Sequence, residues 1–209
     1  MILDFLFPKY CLQCKKPGKY ICDDCYCKVR PCNIIDNNNY SIFKYEGVIR
    51  KAIISLKYKF AFDLVDELVS CVLRVLKINS KFLIFTASPV INSKLILVPI
   101  PLHKHRENWR GFNQAEIIGE KLAKKMNWKY IPDLLIRTKE SKPQVQLKGL
   151  DRRKNLSGVF VVNTNHFISN NCSLVLFDDV YTTGSTINEA KKVLQESGFK
   201  NIQSLTIAR

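Results

Sequence analysis

Two adjacent carboxylates, Asp178 and Asp179, stand directly after an apolar run and before a loop rich in hydroxyl groups. The apolar run is residues 174–177, the loop is residues 181–186, and residues 187–196 have the pattern of a helix. In open α/β sheets, ligands bind at the carboxyl ends of the strands, and backbone N–H groups at a helix N-terminus bind phosphate. This order of residues predicts a site for a phosphorylated ribose, whose hydroxyls would donate hydrogen bonds to the two carboxylates.

A buried strand followed by an N-capped helix is the alternative interpretation. It would account for Ser185 or Thr186, because Ser and Thr are good helix caps. It would not account for two carboxylates at the end of a strand, since buried and unpaired acids are costly. The phosphate site is therefore the favoured interpretation.

The same run resembles the signature of the type I phosphoribosyltransferases, which bind 5-phosphoribosyl 1-diphosphate (PRPP). The resemblance implies that Asp178 and Asp179 hold the ribose 2′ and 3′ hydroxyls and that the loop wraps the 5-phosphate, with Mg²⁺ accompanying PRPP. The loop residues assigned in this way are Thr182, Thr183, Gly184, Ser185 and Thr186. Tyr181 departs from the family pattern, which has a small aliphatic residue there, and we expect this to matter little.

Four cysteines near the start have the spacing of a metal site. Two Cys-x₂-Cys pairs, Cys11 with Cys14 and Cys22 with Cys25, are separated by a short segment containing Gly18, where a tight turn is needed. Such pairs can place four thiolates around Zn²⁺. Disulfides are the alternative, but they are rare in a reducing compartment. We expect a closed, structural zinc site, for which Cys27 or Cys32 could substitute as a ligand.

A second group of chemically capable residues follows a predicted strand at residues 94–100. Residues 103–114 combine cations, aromatic residues and glycine, and they would leave the same edge of the sheet as Asp178. Arg106 and Arg110 would suit a diphosphate, because guanidinium groups bind phosphates through paired hydrogen bonds. A surface loop with helix-capping polar residues is the alternative. A further polar and basic set lies downstream: Gln144, Leu147, Arg152, Asn155 and Phe160.

Hydrophobic periodicity predicts strands that alternate with helices. Strands are predicted at residues 41–45, 94–100, 159–162, 174–177 and 201–207, and helices at 47–57, 62–76, 113–126 and 187–197. Such alternation is typical of an α/β fold with a parallel sheet flanked by helices. With the resemblance above, the fold class is α/β: a type I phosphoribosyltransferase-like sheet with a small N-terminal zinc module of four cysteines. We expect residues 1–39 to form the zinc-binding module and 40–209 the phosphoribosyltransferase-like domain, with a polar linker or hairpin tip at 33–39.

The charge of the chain is strongly positive and unevenly distributed. The net charge is +15, with the excess in residues 1–60 and 100–160, whereas residues 161–209 are balanced. Codon bias of an AT-rich genome would spread the excess evenly, so the concentration favours an anionic partner, either a nucleic acid or the phosphates of a small ligand.

The apolar content and its distribution bear on the class of protein and its location. Apolar residues make up 46% of the chain, which argues against disorder. No apolar run reaches the roughly 18 residues of a membrane span. Residues 1–7 are apolar but contain Asp4 and stop at Pro8, so we expect neither a signal peptide nor a membrane span, and a cytoplasmic location.

The order of the motifs resembles the ComF family of competence proteins from Pro8 to Arg209. The matching elements are the two Cys-x₂-Cys pairs, Leu56-Lys57-Tyr58, Pro99-x-Pro101-Leu102-His103, Arg106, Arg110-Gly111-Phe112-Asn113-Gln114, Gln144, Arg152, Asn155 and Asp178-Asp179-Val180-x-Thr182-Thr183-Gly184. One departure is Lys104-His105, where Pro-Lys is commoner. The family is linked to natural transformation, in which single-stranded DNA enters the bacterial cell. The resemblance implies single-stranded DNA, PRPP, a ComFA-like helicase and other DNA-processing proteins as partners.

Two functions of different classes follow. The first is a PRPP-binding competence protein that handles incoming single-stranded DNA, with bases stacked on aromatic residues between cations. The candidate aromatics are Tyr58, Trp109, Phe112 and Trp128, interleaved with Lys57, Lys59, Arg106, Arg110 and Lys129. Core packing is the alternative for these rings, and we expect Trp109 to be exposed.

The second function is an active phosphoribosyltransferase that transfers ribose 5-phosphate from PRPP to a nucleobase-like acceptor. Arg106 and Arg110 would then stabilise the departing diphosphate. The sequence contains no recognisable element for binding the acceptor base, so the catalytic residues are unassigned and the enzymatic activity is an open question.

Overall fold

The computed structural model describes residues 8–32, 34–36, 38–59, 62–78, 95–138, 158–169 and 172–209. In chain order the elements are α1 (Asp23–Tyr26), β1 (Ile34–Asp36), β2 (Asn39–Phe43), α2 (Gly47–Lys59), α3 (Leu64–Ile78), β3 (Leu95–Pro99), α4 (Lys104–Arg110), α5 (Gln114–Met126), β4 (Lys129–Tyr130), β5 (Leu135–Arg137), β6 (Phe160–Val162), β7 (Ser173–Val180), α6 (Ser185–Glu196) and β8 (Asn201–Ala208). None of the described helices combines the length and apolarity that crossing a membrane requires.

Six strands form one sheet in the order β1-β2-β8-β7-β3-β4. All neighbours run parallel except β1, which pairs antiparallel with β2 at one edge. Strands β5 and β6 form a separate antiparallel pair. The predicted α/β class with a parallel sheet flanked by helices is confirmed.

Both faces of the sheet are covered, which explains why β7 is apolar almost throughout. Because successive side chains of a strand point to opposite faces, Val175 and Phe177 pack with α2, α3 and α5 in one core. Leu174 and Leu176 pack with α6 and with β5 and β6 in the other. A strand buried on both faces has a continuous apolar run rather than an alternating one.

The ends of the helices are set by local chemistry. Asn113 caps α5, its side-chain oxygen accepting a hydrogen bond from the Ala115 N–H at 3.0 Å. Asn127 ends α5 in the left-handed conformation, with φ 55°. Gly111 ends α4 in the same way, with φ 74°. The signals at the two ends of α5 account for its agreement with the helix predicted at 113–126. The expectation of a loop at 103–114 is wrong for residues 104–110, which form α4.

Residues 34–36 of the predicted linker or hairpin tip at 33–39 form strand β1, which pairs antiparallel with β2; Asn33 and Asn37 lie outside the described residues. Strand β1 therefore adds to the edge of the main sheet, although it lies within the segment predicted to belong to the zinc module. Two hydrogen bonds also join the predicted zinc module to β2 and the residue that follows it. The Cys32 N–H donates to the Ile42 carbonyl at 2.8 Å, and the Lys44 N–H donates to the Arg30 carbonyl at 3.1 Å. The division at residue 39 stays a prediction.

Candidate functional site

The loops that follow β3 and β7 leave the same edge of the sheet. The two strands are parallel neighbours, with Pro99 opposite Phe177, and the Ile100 N–H donates to the Phe177 carbonyl at 2.8 Å. Helix α4, with its arginines, follows β3, while the two carboxylates and the hydroxyl-rich loop end β7. The carboxyl edge of a parallel sheet is the usual ligand-binding position in such folds.

Asp178 and Asp179, here called the carboxylate pair, lie within β7 rather than after it. The strand continues to Val180, so the two side chains leave opposite faces of the sheet. Asp178 lines a small pocket with Gly184 and Ser185. Asp179 is almost fully buried on the α2 side. The pair thus presents one carboxylate to the loop and one to the helix layer.

Burial and then the neighbouring Asp179 raise the pKa of Asp178 to about 7, against the opposing effect of the Lys57 ammonium. The Asp179 N–H donates to Asp178 Oδ1 at 2.8 Å, which favours the ionised form without overcoming burial. A carboxyl group that is hard to ionise in the free protein gains from hydroxyl donors that a ligand brings. A ligand that donates hydrogen bonds to Asp178 would therefore favour its ionised form.

Residues 181–186, here called the hydroxyl loop, lead into an N-terminus of α6 that carries no side-chain cap. The N-cap residue is Gly184, with φ 73°, rather than a hydroxyl residue. Thr183 Oγ1 and Ser185 Oγ lie 2.8 Å apart, and the Ser185 N–H reaches Thr183 Oγ1 only at 3.4 Å. The first N–H groups of a helix lack intrahelical acceptors. The capped-helix alternative is thus wrong for Ser185 and Thr186, and the end of α6 is open to an anion.

Tyr181 has a structural role that its sequence position did not indicate. Its ring is buried, and a Cβ atom added at Gly184 would overlap the Tyr181 hydroxyl. The guanidinium of Arg209 lies 5.8 Å from the centre of the ring. Because Gly184 also has a positive φ, both space and conformation require glycine at this position.

Lys57 of α2 lies at the site, whereas the sequence indicated only a motif residue and a cation of the candidate DNA path. Its Nζ lies 2.6 Å from Asp179 Oδ2, with 20% of the lysine side chain exposed. Burial opposes the charge, but Asp179 and Asp178 outweigh it and raise the pKa of Lys57, while Arg110 acts in the other direction. A cation held in this way offsets the cost of the buried Asp179 carboxylate.

An exposed aromatic pair, here called the aromatic platform, consists of Tyr58 and Trp109. The two ring centres are 6.2 Å apart in an edge-to-face arrangement, and the exposed fractions are 54% and 67%. The Arg110 guanidinium lies 5.4 Å from the centre of the Tyr58 ring. The prediction that Trp109 is exposed is confirmed.

Two other predicted stacking residues are corrected by the structure. Trp128 and Phe112 are 6% and 8% exposed and belong to the core. Trp128 follows the left-handed Asn127 directly, and this turn directs the chain back into the sheet. Phe112 packs against Phe62 with ring centres 4.7 Å apart. Neither ring is available to a base.

The two arginines of α4 differ in their surroundings. Arg110 donates from Nη1 to Gln114 Oε1 at 2.9 Å, whereas its Nε is buried without an acceptor in the described part of the chain. Arg106 is half-buried and forms no ion pair with a described acid. Both have hydrogen-bonding capacity left for an anion. The predicted residues Gln144, Leu147, Arg152 and Asn155 lie outside the described residues, as does the side chain of Lys59.

The cysteines of the two Cys-x₂-Cys pairs converge in what we call the four-cysteine cluster. The Sγ atoms of Cys11, Cys14, Cys22 and Cys25 all lie within 4.8 Å of one another, and all but Cys14 are buried. The cysteines form no disulfide. Gly18, with φ 106°, makes the turn between the pairs. Four close cysteine ligands fit a metal ion, and thiolates favour zinc.

The protonation chemistry of the four-cysteine cluster agrees with a cation site. Burial opposes ionisation of Cys11, but backbone hydrogen bonds from Cys14 and Cys22 outweigh it and lower the pKa of Cys11 to about 6. Burial and the neighbouring thiols raise the pKa of Cys25 to about 12. One thiolate is therefore favoured, and further thiolates require the positive charge that a metal supplies.

The four-cysteine cluster is packed against the helices that carry the rest of the site. Both Glu67 carboxylate oxygens accept from the module, from the Tyr20 N–H at 3.1 Å and the Ile21 N–H at 2.7 Å. Ile21 and three cysteines of the cluster belong to the same core as α2 and α3. Loss of the cluster would therefore disturb the layer from which Lys57 projects.

Several known proteins are similar to this chain, although no protein-family model matches it. Competence protein ComFC of Bacillus subtilis is 27% identical over 206 residues, covering 95% of this chain and 77% of the relative. Competence protein F of Haemophilus influenzae is 36% identical over 115 residues, covering 54% and 49%. DNA utilization protein YhgH of Escherichia coli is 29% identical over 117 residues, covering 54% and 48%. The chain thus spans about half the length of the last two relatives.

The adenine phosphoribosyltransferase of Leishmania donovani is similar in structure, with a TM-score of 0.34 and 12% identity over 88% of this chain and 77% of that one. A likeness this distant carries no argument about function. The sequence similarity to ComFC of Bacillus subtilis covers nearly the whole chain. This chain is similar in sequence to competence protein F and to the competence proteins ComFC, a resemblance that its motifs predicted.

Proposed function

We propose that this protein binds PRPP at the carboxylate pair and the hydroxyl loop and handles single-stranded DNA during DNA uptake. The observation that carries the proposal is that the carboxylate pair and the aromatic platform lie next to each other at one edge of the sheet. Lys57 of α2 contacts Asp179, and the next residue, Tyr58, belongs to the exposed aromatic platform. The names of the relatives, which refer to competence and DNA utilization, support the DNA half of the proposal.

The PRPP half assigns roles to the residues at the end of β7. Asp178 and Asp179 accept hydrogen bonds from the ribose 2′ and 3′ hydroxyls, and the 5-phosphate lies at the uncapped N-terminus of α6. The loop residues assigned to the phosphate are Thr182, Thr183, Gly184, Ser185 and Thr186. A pocket supports the assignment, because it is lined by Asp178 and by all of these loop residues except Thr183.

The diphosphate of PRPP lies toward α4 in this proposal, where Arg106 and Arg110 donate to its oxygens. Mg²⁺ bound with PRPP would neutralise part of the diphosphate charge, and the carboxylate pair offers oxygen ligands of the kind Mg²⁺ takes. The unpartnered Nε of Arg110 supports this placement, because a buried donor without an acceptor gains from an anion.

The DNA half assigns the aromatic platform to base stacking and the surrounding cations to the phosphate backbone. Base stacking on one exposed aromatic residue contributes about 1–3 kcal/mol. The charge of +15 favours a polyanionic partner over a small neutral one. We place this activity in the cytoplasm, together with DNA-processing proteins such as a ComFA-like helicase.

We further propose that the four-cysteine cluster holds Zn²⁺ and that the metal is structural. All four ligands come from the protein, which leaves no open position for a substrate. The metal would stabilise a segment too short to fold on a core of its own.

Fluorescence anisotropy with a labelled oligothymidylate tests the DNA half. Trp109→Ala should weaken binding by roughly tenfold, which corresponds to losing about 1.4 kcal/mol and lies within the range of about 1–3 kcal/mol for stacking. Phe167→Ala is the matched control, since Phe167 is a fully exposed ring outside the platform, and it should leave the affinity unchanged. Equal losses in the two variants would remove the platform from the DNA site.

Release of diphosphate tests whether PRPP is consumed. The zinc-loaded protein is incubated with PRPP, Mg²⁺ and a panel of nucleobases, with and without the oligonucleotide. No release, in protein that binds both ligands, supports the proposal. Release that depends on one base and is lost in Asp178→Ala with Asp179→Ala would instead identify a phosphoribosyltransferase and make the DNA role secondary.

A further inference from the structure

We propose that PRPP and single-stranded DNA compete for two shared cations, Lys57 and Arg110, so that PRPP weakens DNA binding. The inference rests on the proposed function and adds a regulation that links its two ligands. It is based on the position of α2 and α4, which contribute residues both beside the carboxylate pair and to the aromatic platform.

Helix α2 carries one residue of each site in consecutive positions. Lys57 lies 2.6 Å from Asp179, whereas Tyr58 is exposed and contacts Trp109. Consecutive residues of an α-helix are separated by about 100° around the axis, because a turn takes 3.6 residues. A shift of the end of α2 that moves Lys57 therefore also moves Tyr58.

Arg110 of α4 makes a second connection between the sites. Its guanidinium lies 5.4 Å from the centre of the Tyr58 ring, and its charge is close enough to Lys57 to oppose the raised pKa of that lysine. Its Nε is buried and has no acceptor among the described residues. Arg110 is thus a donor for an anion at either site, and its one positive charge cannot fully neutralise two anions.

The direction of the effect follows from charge. In the free protein the Lys57 ammonium neutralises Asp179. Ribose hydroxyls would join that ammonium on the carboxylate pair, and the phosphates of PRPP attract both Lys57 and Arg110. Cations that neutralise PRPP no longer neutralise a DNA backbone, and the two polyanions repel each other across a partly desolvated site. Linkage then requires DNA to weaken PRPP binding by the same factor.

The experiment measures the affinity of the zinc-loaded protein for a labelled oligothymidylate with and without saturating PRPP at constant Mg²⁺. Sodium sulfate at equal ionic strength is the control for general screening. We expect PRPP to weaken DNA binding by roughly tenfold, within the usual range for coupled sites. The slope of log affinity against log salt should fall by about 1.4, since each lost phosphate contact on a single strand contributes about 0.7.

Variants on α2 assign the effect to Lys57. Lys57→Gln should bind DNA more weakly and show little further loss with PRPP. Lys57→Arg, which keeps the charge, should retain the competition, and it serves as the test if the glutamine variant does not fold. Lys51→Gln is the matched control, because Lys51 is exposed on the same helix. It should show the full effect of PRPP.

The outcomes separate this inference from the proposed function. Protein that binds both ligands with affinities independent of each other, or that binds DNA more tightly with PRPP, overturns the competition and leaves the function standing. An undiminished effect of PRPP in Lys57→Gln overturns the role of Lys57. Failure to bind DNA, or failure to bind PRPP, refutes the proposed function itself, and the inference falls with it.

Discussion

Replacing Asp178 by Asn should make the free protein more stable at alkaline pH while removing a ligand-binding group. Burial raises the pKa of Asp178 from an ordinary value of 3.8 to about 7. A raised pKa in the folded state means that the contribution of this group to stability is complete below pH 3.8 and is lost as the pH rises through 7. Wild-type protein therefore carries a penalty above neutral pH that the Asn variant lacks.

The size of the penalty can be worked from the two pKa values. Their difference corresponds to about 4 kcal/mol at about 1.36 kcal/mol per unit, an upper limit because the buried Asn amide has N–H groups that need acceptors. We expect the variant to gain about 1–3 kcal/mol at pH 8. It should gain almost nothing at pH 3.5, where wild-type Asp178 is protonated in both states.

Urea unfolding of both proteins at pH 3.5, 5 and 8 measures this difference, with the metal treated identically in each pair so that its contribution cancels. Asp66→Asn is the control, because Asp66 is an exposed acid that pairs with Lys121 on the surface. A variant less stable than wild type at pH 8, or a difference that does not change with pH, would refute the argument about burial.

Three further predictions concern the four-cysteine cluster, the turn before α6 and the cations of α4. Cys11→Ser should lose bound metal and unfold at a lower temperature, whereas Cys32→Ser should keep the metal content and the melting temperature of wild type. Full metal content in Cys11→Ser, measured by atomic absorption, would show that Cys11 is not a ligand. Gly184→Ala should lower the free energy of unfolding by about 1–3 kcal/mol, because the residue has a positive φ and faces the Tyr181 hydroxyl; a melting curve like that of wild type would contradict this. Arg106→Glu with Arg110→Glu should weaken DNA binding and lower its salt slope by at least about 1.4; an unchanged slope would exclude both from the DNA path.

Features that depend on local order along the chain could be predicted from the sequence. The alternation of apolar runs and amphipathic segments indicated the α/β class, and the spacing of the cysteines indicated the four-cysteine cluster, because each pattern lies within a few residues. The sequence predicted the carboxylate pair directly after the strand, whereas both carboxylates lie within the last residues of β7. The division of the pair between the two faces was not predicted, because the extension of β7 to Val180 depends on pairing with β8.

Features that depend on contacts between distant segments could not be predicted from the sequence. Lys57 reaches Asp179 from a different element. The sequence indicated Lys57 through the Leu56-Lys57-Tyr58 motif and as a cation of the DNA path, but it did not indicate this contact. Trp128 and Phe112 lie among polar neighbours in the sequence and yet are buried, because turns at Asn127 and Gly111 direct them inward. The alternation of side chains gives no information about single aromatic residues in such turns.

Calorimetric titration of the zinc-loaded protein with PRPP in Mg²⁺ tests the central claim most directly. Wild-type protein and an Asp66→Ala control should bind with the same affinity. Asp178→Ala with Asp179→Ala should bind no PRPP while keeping its metal and its circular dichroism spectrum. A double variant that binds PRPP as tightly as wild type would show that the carboxylate pair is not the ribose site.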